Sequence, residues 1–282
     1  MNLLLEPLSY AFMQRGMLAA VMVGILCAVI GTYVVLRGMA FFGDALAHAV
    51  LPGIAVAYLL GGDILLGALV AAICVALAIG FLSRQGAVKE DTAIGIMFAA
   101  ALSLGVALIS TVKTYAVDLT HILFGNVLGV STFDLWLIGI IGLGILLTVA
   151  LLYRPFLVVS FDPVLAATLR LPAELLRNVL LVLIALTVVV SLQTVGVGLV
   201  SALLITPPAT ASLLTRRLFP MMLLSAAIGA LSGIVGLYIS FYANIVSGSA
   251  IVLTATMIFL LVFLFNPRQG FLRRHAAEAT PA

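Results

Sequence analysis

The chain has 282 residues, 65% of them hydrophobic and only 8% charged, with a mean hydropathy of +1.36 and a formal net charge of +3. So few charges cannot coat a soluble globule, and no segment outside the apolar runs is long enough to bury a core of its own, which excludes a soluble enzyme or a separate soluble domain. The excess of cations would suggest nucleic acid in a soluble protein, but here it falls in short loops between apolar runs, so no nucleic-acid partner is expected.

Apolar runs of about 20 residues, each able to cross a roughly 30 Å hydrocarbon layer, predict an all-α, polytopic transmembrane helix bundle folded as a single domain over 1–282. Nine spans are read, at 17–36, 40–60, 64–83, 92–112, 133–153, 175–194, 197–214, 220–242 and 249–266, and eight or ten would also suit the pattern. Before the first run, Glu6, Pro7 and Gln14 stand where a secretory signal would carry a basic stretch, so the first span is expected to be retained. Cys27 and Cys74 fall in apolar runs without metal-type spacing and are read as small buried packing residues.

The second span carries an acid and a histidine, Asp44 and His48, four positions apart. Ionisable side chains inside a membrane helix cost several kcal/mol, roughly, unless they meet a partner, an ion or water. Positions i and i+4 share a helix face, so the pair presents a carboxylate and an imidazole to one ion, a donor set suited to manganese, zinc or iron. Two ligands make half a site, and a two-fold dimer with this helix near its axis would complete it. The bland alternative is a hydrogen-bonded pair that holds helices together. Gly43, Pro52 and Gly53 nearby suit an open or bent backbone.

The segment from Lys113 to Ser131, with Asp118, His121, Gly125 and Asn126, is too polar to span and is expected to fold back against the outer mouth; Asp118 and His121 form at most a weak second site. The loop 154–174 contains a short amphipathic helix with Asp162 as N-cap, Pro163 at its first position, a stripe of Val164, Leu165, Thr168 and Leu169, and Pro172 as its stop. Such a helix rests on the bilayer or docks a cytoplasmic partner. Thr206-Pro207-Pro208 is expected to interrupt the seventh span, and the tail 267–282, which holds His275, to be disordered. With the C-terminus in the cytoplasm, 11 cationic residues lie inside (Arg37, Arg84, Lys89, Arg154, Arg170, Arg177, Arg216, Arg217, Arg268, Arg273 and Arg274) against 2 outside, Arg15 and Lys113, which sets the orientation.

No phosphate-binding Gly-rich loop with Lys-Ser or Lys-Thr occurs, and neither a Gly-x-Ser-x-Gly elbow nor a His-Glu-x-x-His helix is found. The chain is therefore not read as an enzyme: no catalytic residues and no permanently bound cofactor are expected, and if it serves an ATP-driven transport, the ATPase is another polypeptide.

Four stretches then become familiar together: Arg37 to Gly53 (RGMAFFGDALAHAVLPG), His121 to Asn126 (HILFGN), Phe161-Asp162-Pro163, and Gly196 to Ala209 (GVGLVSALLITPPA). Over nearly its whole length the chain resembles the membrane permease subunit of bacterial ABC importers for manganese, zinc and iron. That resemblance implies a dimerising permease in the bacterial inner membrane with a second permease copy, identical or homologous. It implies cytoplasmic ATP-binding subunits docking near Asp162 to Leu171, and an extracytoplasmic metal-binding protein that delivers the ion. It also implies that Asp44 and His48 match the family's metal-contacting pair. One departure is Asn244-Ile245-Val246-Ser247-Gly248, where the family often has an acid and a proline. The alternatives are an ion-gradient-driven secondary carrier, with Asp44 as a proton site, and an intramembrane metalloenzyme.

Overall fold

The computed structural model describes residues 6–84, 88–111, 127–161 and 163–265. Among the described residues there is no strand, and nine helical segments are long and apolar enough to cross a membrane. They are α1 (Ala11–Leu36), the pair α2 (Phe42–Ala49) and α3 (Leu51–Leu59), α4 (Ile64–Leu82), α5 (Glu90–Ser110), α6 (Thr132–Leu151), α9 (Ala173–Val195), α10 (Val197–Leu214), α11 (Leu218–Ala243) and α12 (Ser247–Phe265); two short helices, α7 (Tyr153–Phe161) and α8 (Pro163–Thr168), join α6 to α9. Of the segment Lys113 to Ser131, residues 113–126 with Asp118 and His121 lie outside the described residues, as do 267–282 with His275, and Asp162 itself.

Local chemistry sets many of the boundaries. Asp63 accepts hydrogen bonds from the Leu65 and Leu66 backbone N–H groups at 2.8 and 3.1 Å and starts α4. Ser131 and Asp134 form a reciprocal capping box at the start of α6. Asn244, with φ 51°, ends α11 in the left-handed region that asparagine tolerates, so the residue that departs from the family pattern serves as a helix terminator here. The second span is two helices because Pro52 has no N–H to offer the His48 carbonyl four residues earlier, and the break falls at Val50, two residues after the histidine.

Packing separates inner from outer helices. In α1 and α9, 67% of the spanning window is buried, against 22% in α5, α6 and α12. Helix α1 packs on α11, α10, α6 and α9, while α2 packs on α5, α10 and α9. The outward side of α4 explains one correction: Cys74 is exposed on it, whereas Cys27 in α1 is buried as expected. A large exposed apolar surface on the outer helices is what lipid contact requires.

The double proline does not interrupt the seventh span. Helix α10 runs unbroken through Pro207 and Pro208, which deprive the Leu203 and Leu204 carbonyls of their usual donors. Close packing covers the second of these: a Cβ at Gly31 of α1 would collide with the Leu204 carbonyl oxygen, so only glycine lets α1 lie against it. The same device recurs where Gly24 of α1 meets Gly229 of α11.

The connection 154–174 also differs from expectation. The chain turns helical at Tyr153, before the predicted helix, and Phe156 of α7 is buried edge-on against Tyr33 of α1 at 5.7 Å. Helix α8 ends at Thr168 rather than at Pro172, and Arg170 is left-handed at φ 54° while the Leu171 N–H closes on the Ala166 carbonyl at 3.0 Å. Leu165 and Leu169 of the expected apolar stripe are exposed, as a stripe that meets the bilayer or a partner would be, whereas Ala166 is buried.

Ion pairs tie helix ends together. Arg37 Nη2 lies 3.6 Å from Glu90 Oε1 with both side chains largely buried, and Arg37 Nη1 is buried without a hydrogen-bond partner. Burial pushes the Arg37 guanidinium pKa down, Glu90 opposes this, and Arg177 adds to the lowering. Arg177 donates to the carbonyls of Gly80 and Ser83, and Arg84 pairs with Glu174 at 2.8 Å in a half-exposed site.

Two predictions follow from these contacts. Gly31→Ala should destabilise the detergent-solubilised protein by about 1–3 kcal/mol through overpacking against α10. Gly144→Ala, where nothing lies within 4 Å, should be neutral or stabilising by about 0.5–1 kcal/mol. Equal melting temperatures for the two variants would remove the α1–α10 contact as a constraint. In the same assay Glu90→Gln, which strands a buried guanidinium, should cost about 3 kcal/mol. Glu174→Gln, which loses an exposed partner, should cost about 0–1 kcal/mol, and a larger loss there than at Glu90 would reverse this ranking.

Candidate metal centre

A tight turn delivers the chain from α1 to α2. Gly38 sits at φ 71°, and the Gly38 and Met39 N–H groups return to the Val35 and Val34 carbonyls at 3.1 and 3.0 Å. Asp44 then falls in the first turn of α2, where the helix dipole favours a carboxylate, and His48 in its last turn. The i,i+4 spacing puts both side chains on one face: His48 Nε2 is 3.9 Å from Asp44 Oδ1, too far for a hydrogen bond but close enough for electrostatic contact. Nearly half of the Asp44 side chain and about a quarter of that of His48 are exposed, so the pair is not sealed in a dry seam.

Two neighbouring helices, α5 and α10, reach the pair. The His48 ring meets Phe98 of α5 edge-on at 5.7 Å between centroids. Ser201 of α10 donates its hydroxyl to Asp44 Oδ1 at 3.3 Å across the helix interface. Asp44 also lines a cavity of about 240 Å³ between α2 and α5, together with Phe41, Ala45, Asp91, Ile94, Gly95 and Phe98. His48 lies outside that lining, so the carboxylate is the group that faces both the histidine and the cavity.

Sequence reasoning placed Asp44 and His48 on one helix face, and there they are. It passed over Ser201 and Asp91. The serine lay inside the stretch already singled out by its glycines and prolines, and its role required knowing that α10 crosses α2. Asp91 reads in sequence as an acid complementing the start of a helix, which it also is. Among the described residues no three of histidine, cysteine, aspartate and glutamate gather to hold a metal ion, so a single copy offers two such ligands at this place. Cys27 is occupied locally, its Sγ 3.5 Å from Ser191 Oγ.

The chain is 50% identical over 270 residues to the manganese transport system membrane protein MntC of Halalkalibacterium halodurans, which covers 96% of this chain and 92% of that protein. It is 39% identical over 285 residues to the chelated iron transport system membrane protein YfeD of Yersinia pestis, covering all of this chain and 94% of the relative. Among solved structures, PsaBC from Streptococcus pneumoniae in complex with Fab superposes with a TM-score of 0.83 at 39% identity, over 95% of this chain and 96% of that one. The model of the ABC 3 transport family matches residues 9–266, and with the fold, the length and these relatives in agreement, the chain belongs to that family.

Proposed function

We propose that this chain is the membrane-spanning permease subunit of an ATP-driven importer for a divalent transition-metal ion, manganese, zinc or iron, and that Asp44 and His48 contact the ion in transit. The relatives' names favour manganese and iron. The observation that carries the reading is the partly exposed carboxylate and imidazole on one face of a broken membrane helix, 3.9 Å apart beside a cavity. Ligand distances of about 2.0–2.2 Å put neighbouring donor atoms roughly 3–3.5 Å apart, so a small side-chain adjustment brings both onto one ion. An incomplete site suits a transporter, because ligands must replace lost water without trapping the cargo.

A second copy of the chain, related by a two-fold axis along α2, would bring two aspartates and two histidines to the ion. ATP binding and hydrolysis belong to separate cytoplasmic subunits, which dock on the region Asp162 to Leu171. Exposed Phe161, Leu169 and Arg170 make this an apolar, cationic knob, and the buried Phe156 anchors it to α1. Residues 154–174 thus act as the coupling loop of a single membrane domain spanning 1–282, with the C-terminus in the cytoplasm. A metal-binding protein delivers the ion from the opposite side, and alternating access moves it inward. The chain itself catalyses no reaction.

Metal uptake by cells carrying the assembled transporter should fall at least ten-fold in Asp44→Ala and in His48→Ala, with membrane expression and ATPase association unchanged; wild-type uptake in both would take these residues out of the pathway. Leu169→Asp should abolish co-purification of the ATP-binding subunit while leaving the permease folded, and full retention would move the docking surface elsewhere.

A further inference from the structure

In the stretch Gly196 to Ala209, Gly196 makes the turn into α10 at φ 82° and Pro208 lies against Gly31, but neither has any need of a hydroxyl at position 201. Serine and threonine in apolar helices usually satisfy themselves on the carbonyl one turn back. Thr32, Ser83, Thr187, Thr210, Ser232 and Thr254 all do so in this protein, at 2.7–2.9 Å. Ser201 instead donates across the helix interface to Asp44 Oδ1. Its reach depends on the next turn of α10, where Leu204 packs so tightly on Gly43 that any side chain at 43 would collide with it.

Resting on the reading of Asp44 as an ion ligand, we propose that Ser201 is a positioning residue: its hydroxyl orients the Asp44 carboxylate toward the ion and so sets the affinity of the pathway. The physical basis is that a ligating carboxylate held by an outer hydrogen bond loses less freedom when it takes the ion. At 3.3 Å, against about 2.7–2.8 Å for a typical O–H···O bond, the contact is a restraint rather than a lock, and the carboxylate can still turn. The donor sits on α10 and the acceptor on α2, so a shift of one helix past the other changes the ion's hold.

The test is initial-rate manganese uptake by the complete transporter in vesicles, with the metal concentration varied. Removing a partner of a metal ligand typically costs 10- to 100-fold in affinity, so Ser201→Ala should raise KM about ten-fold while the maximal rate stays near that of wild type. Ser201→Thr, which keeps the hydroxyl, should restore KM to within about two-fold. A structural role alone would lower the maximal rate or the amount of assembled transporter and leave KM in place. If Ser201→Ala does not accumulate, Ser201→Gly, which also lacks a donor and adds no ligand, takes its place: a raised KM supports the assignment and a wild-type KM overturns it. A wild-type KM in Ser201→Ala alongside lost uptake in Asp44→Ala overturns the role of Ser201 alone. Wild-type uptake in both overturns the assignment of Asp44 as well.

Discussion

Leu204 lies between two glycines, with its backbone carbonyl against Gly31 of α1 and its side chain against Gly43 of α2. The backbone of α10 lies against α1 because Gly31 carries no Cβ to hold it off, and the tip of the Leu204 side chain fills the space beside Gly43. Everything at the site follows from that spacing. It covers a carbonyl that Pro208 leaves without a donor, and it brings Ser201, one turn earlier, to Asp44. It also fixes α2 at the height where Asp44 faces the cavity shared with α5. A Cβ at Gly31 would strike the Leu204 backbone and force α10 off α1, whereas one at Gly43 would strike only the tip of the Leu204 side chain, which can turn aside.

Around this wedge the protein spends few polar groups, and places them by need. In hydrocarbon an unpaired polar group is costly, and the hydroxyls of Thr32, Ser83, Thr187, Thr210, Ser232 and Thr254 turn back onto their own helices. The stronger charges gather at helix ends, where Arg37, Glu90, Arg177, Arg84 and Glu174 join α1, α4, α5 and α9. Asp44 and His48 are the exception, ionisable groups kept within a span and partly open. That contrast separates a pathway from a packing seam more sharply than either residue type does.

The connection between α6 and α9 shows how a surface element is joined to the interior. Phe156 is buried edge-on against Tyr33, one turn before Arg37 and the left-handed Gly38 that leads into α2. The short helices therefore rest on the same helix that bears Gly31. Their exposed residues face outward from a rigid base rather than from a free loop.

The nine spans were legible, and their ends fall within a few residues of 17–36 through 249–266, except that α1 begins six residues earlier, at Ala11. Hydropathy is additive along the chain and the bilayer imposes one length, so local sequence suffices for that much. Asp44 and His48 were legible too, because i,i+4 spacing on a helix is local geometry. The exposure of Cys74 and the unbroken α10 were not, since each depends on how neighbouring helices pack. Ser201 makes the limit plain: its partner is 157 positions away, and no periodicity links the two. Sequence alone determined the spans and the pairing of acid with histidine, because those are set by neighbours a turn away. Tertiary structure decided which oxygen the serine holds and where α10 can lie, because those depend on glycine contacts between helices remote in the chain.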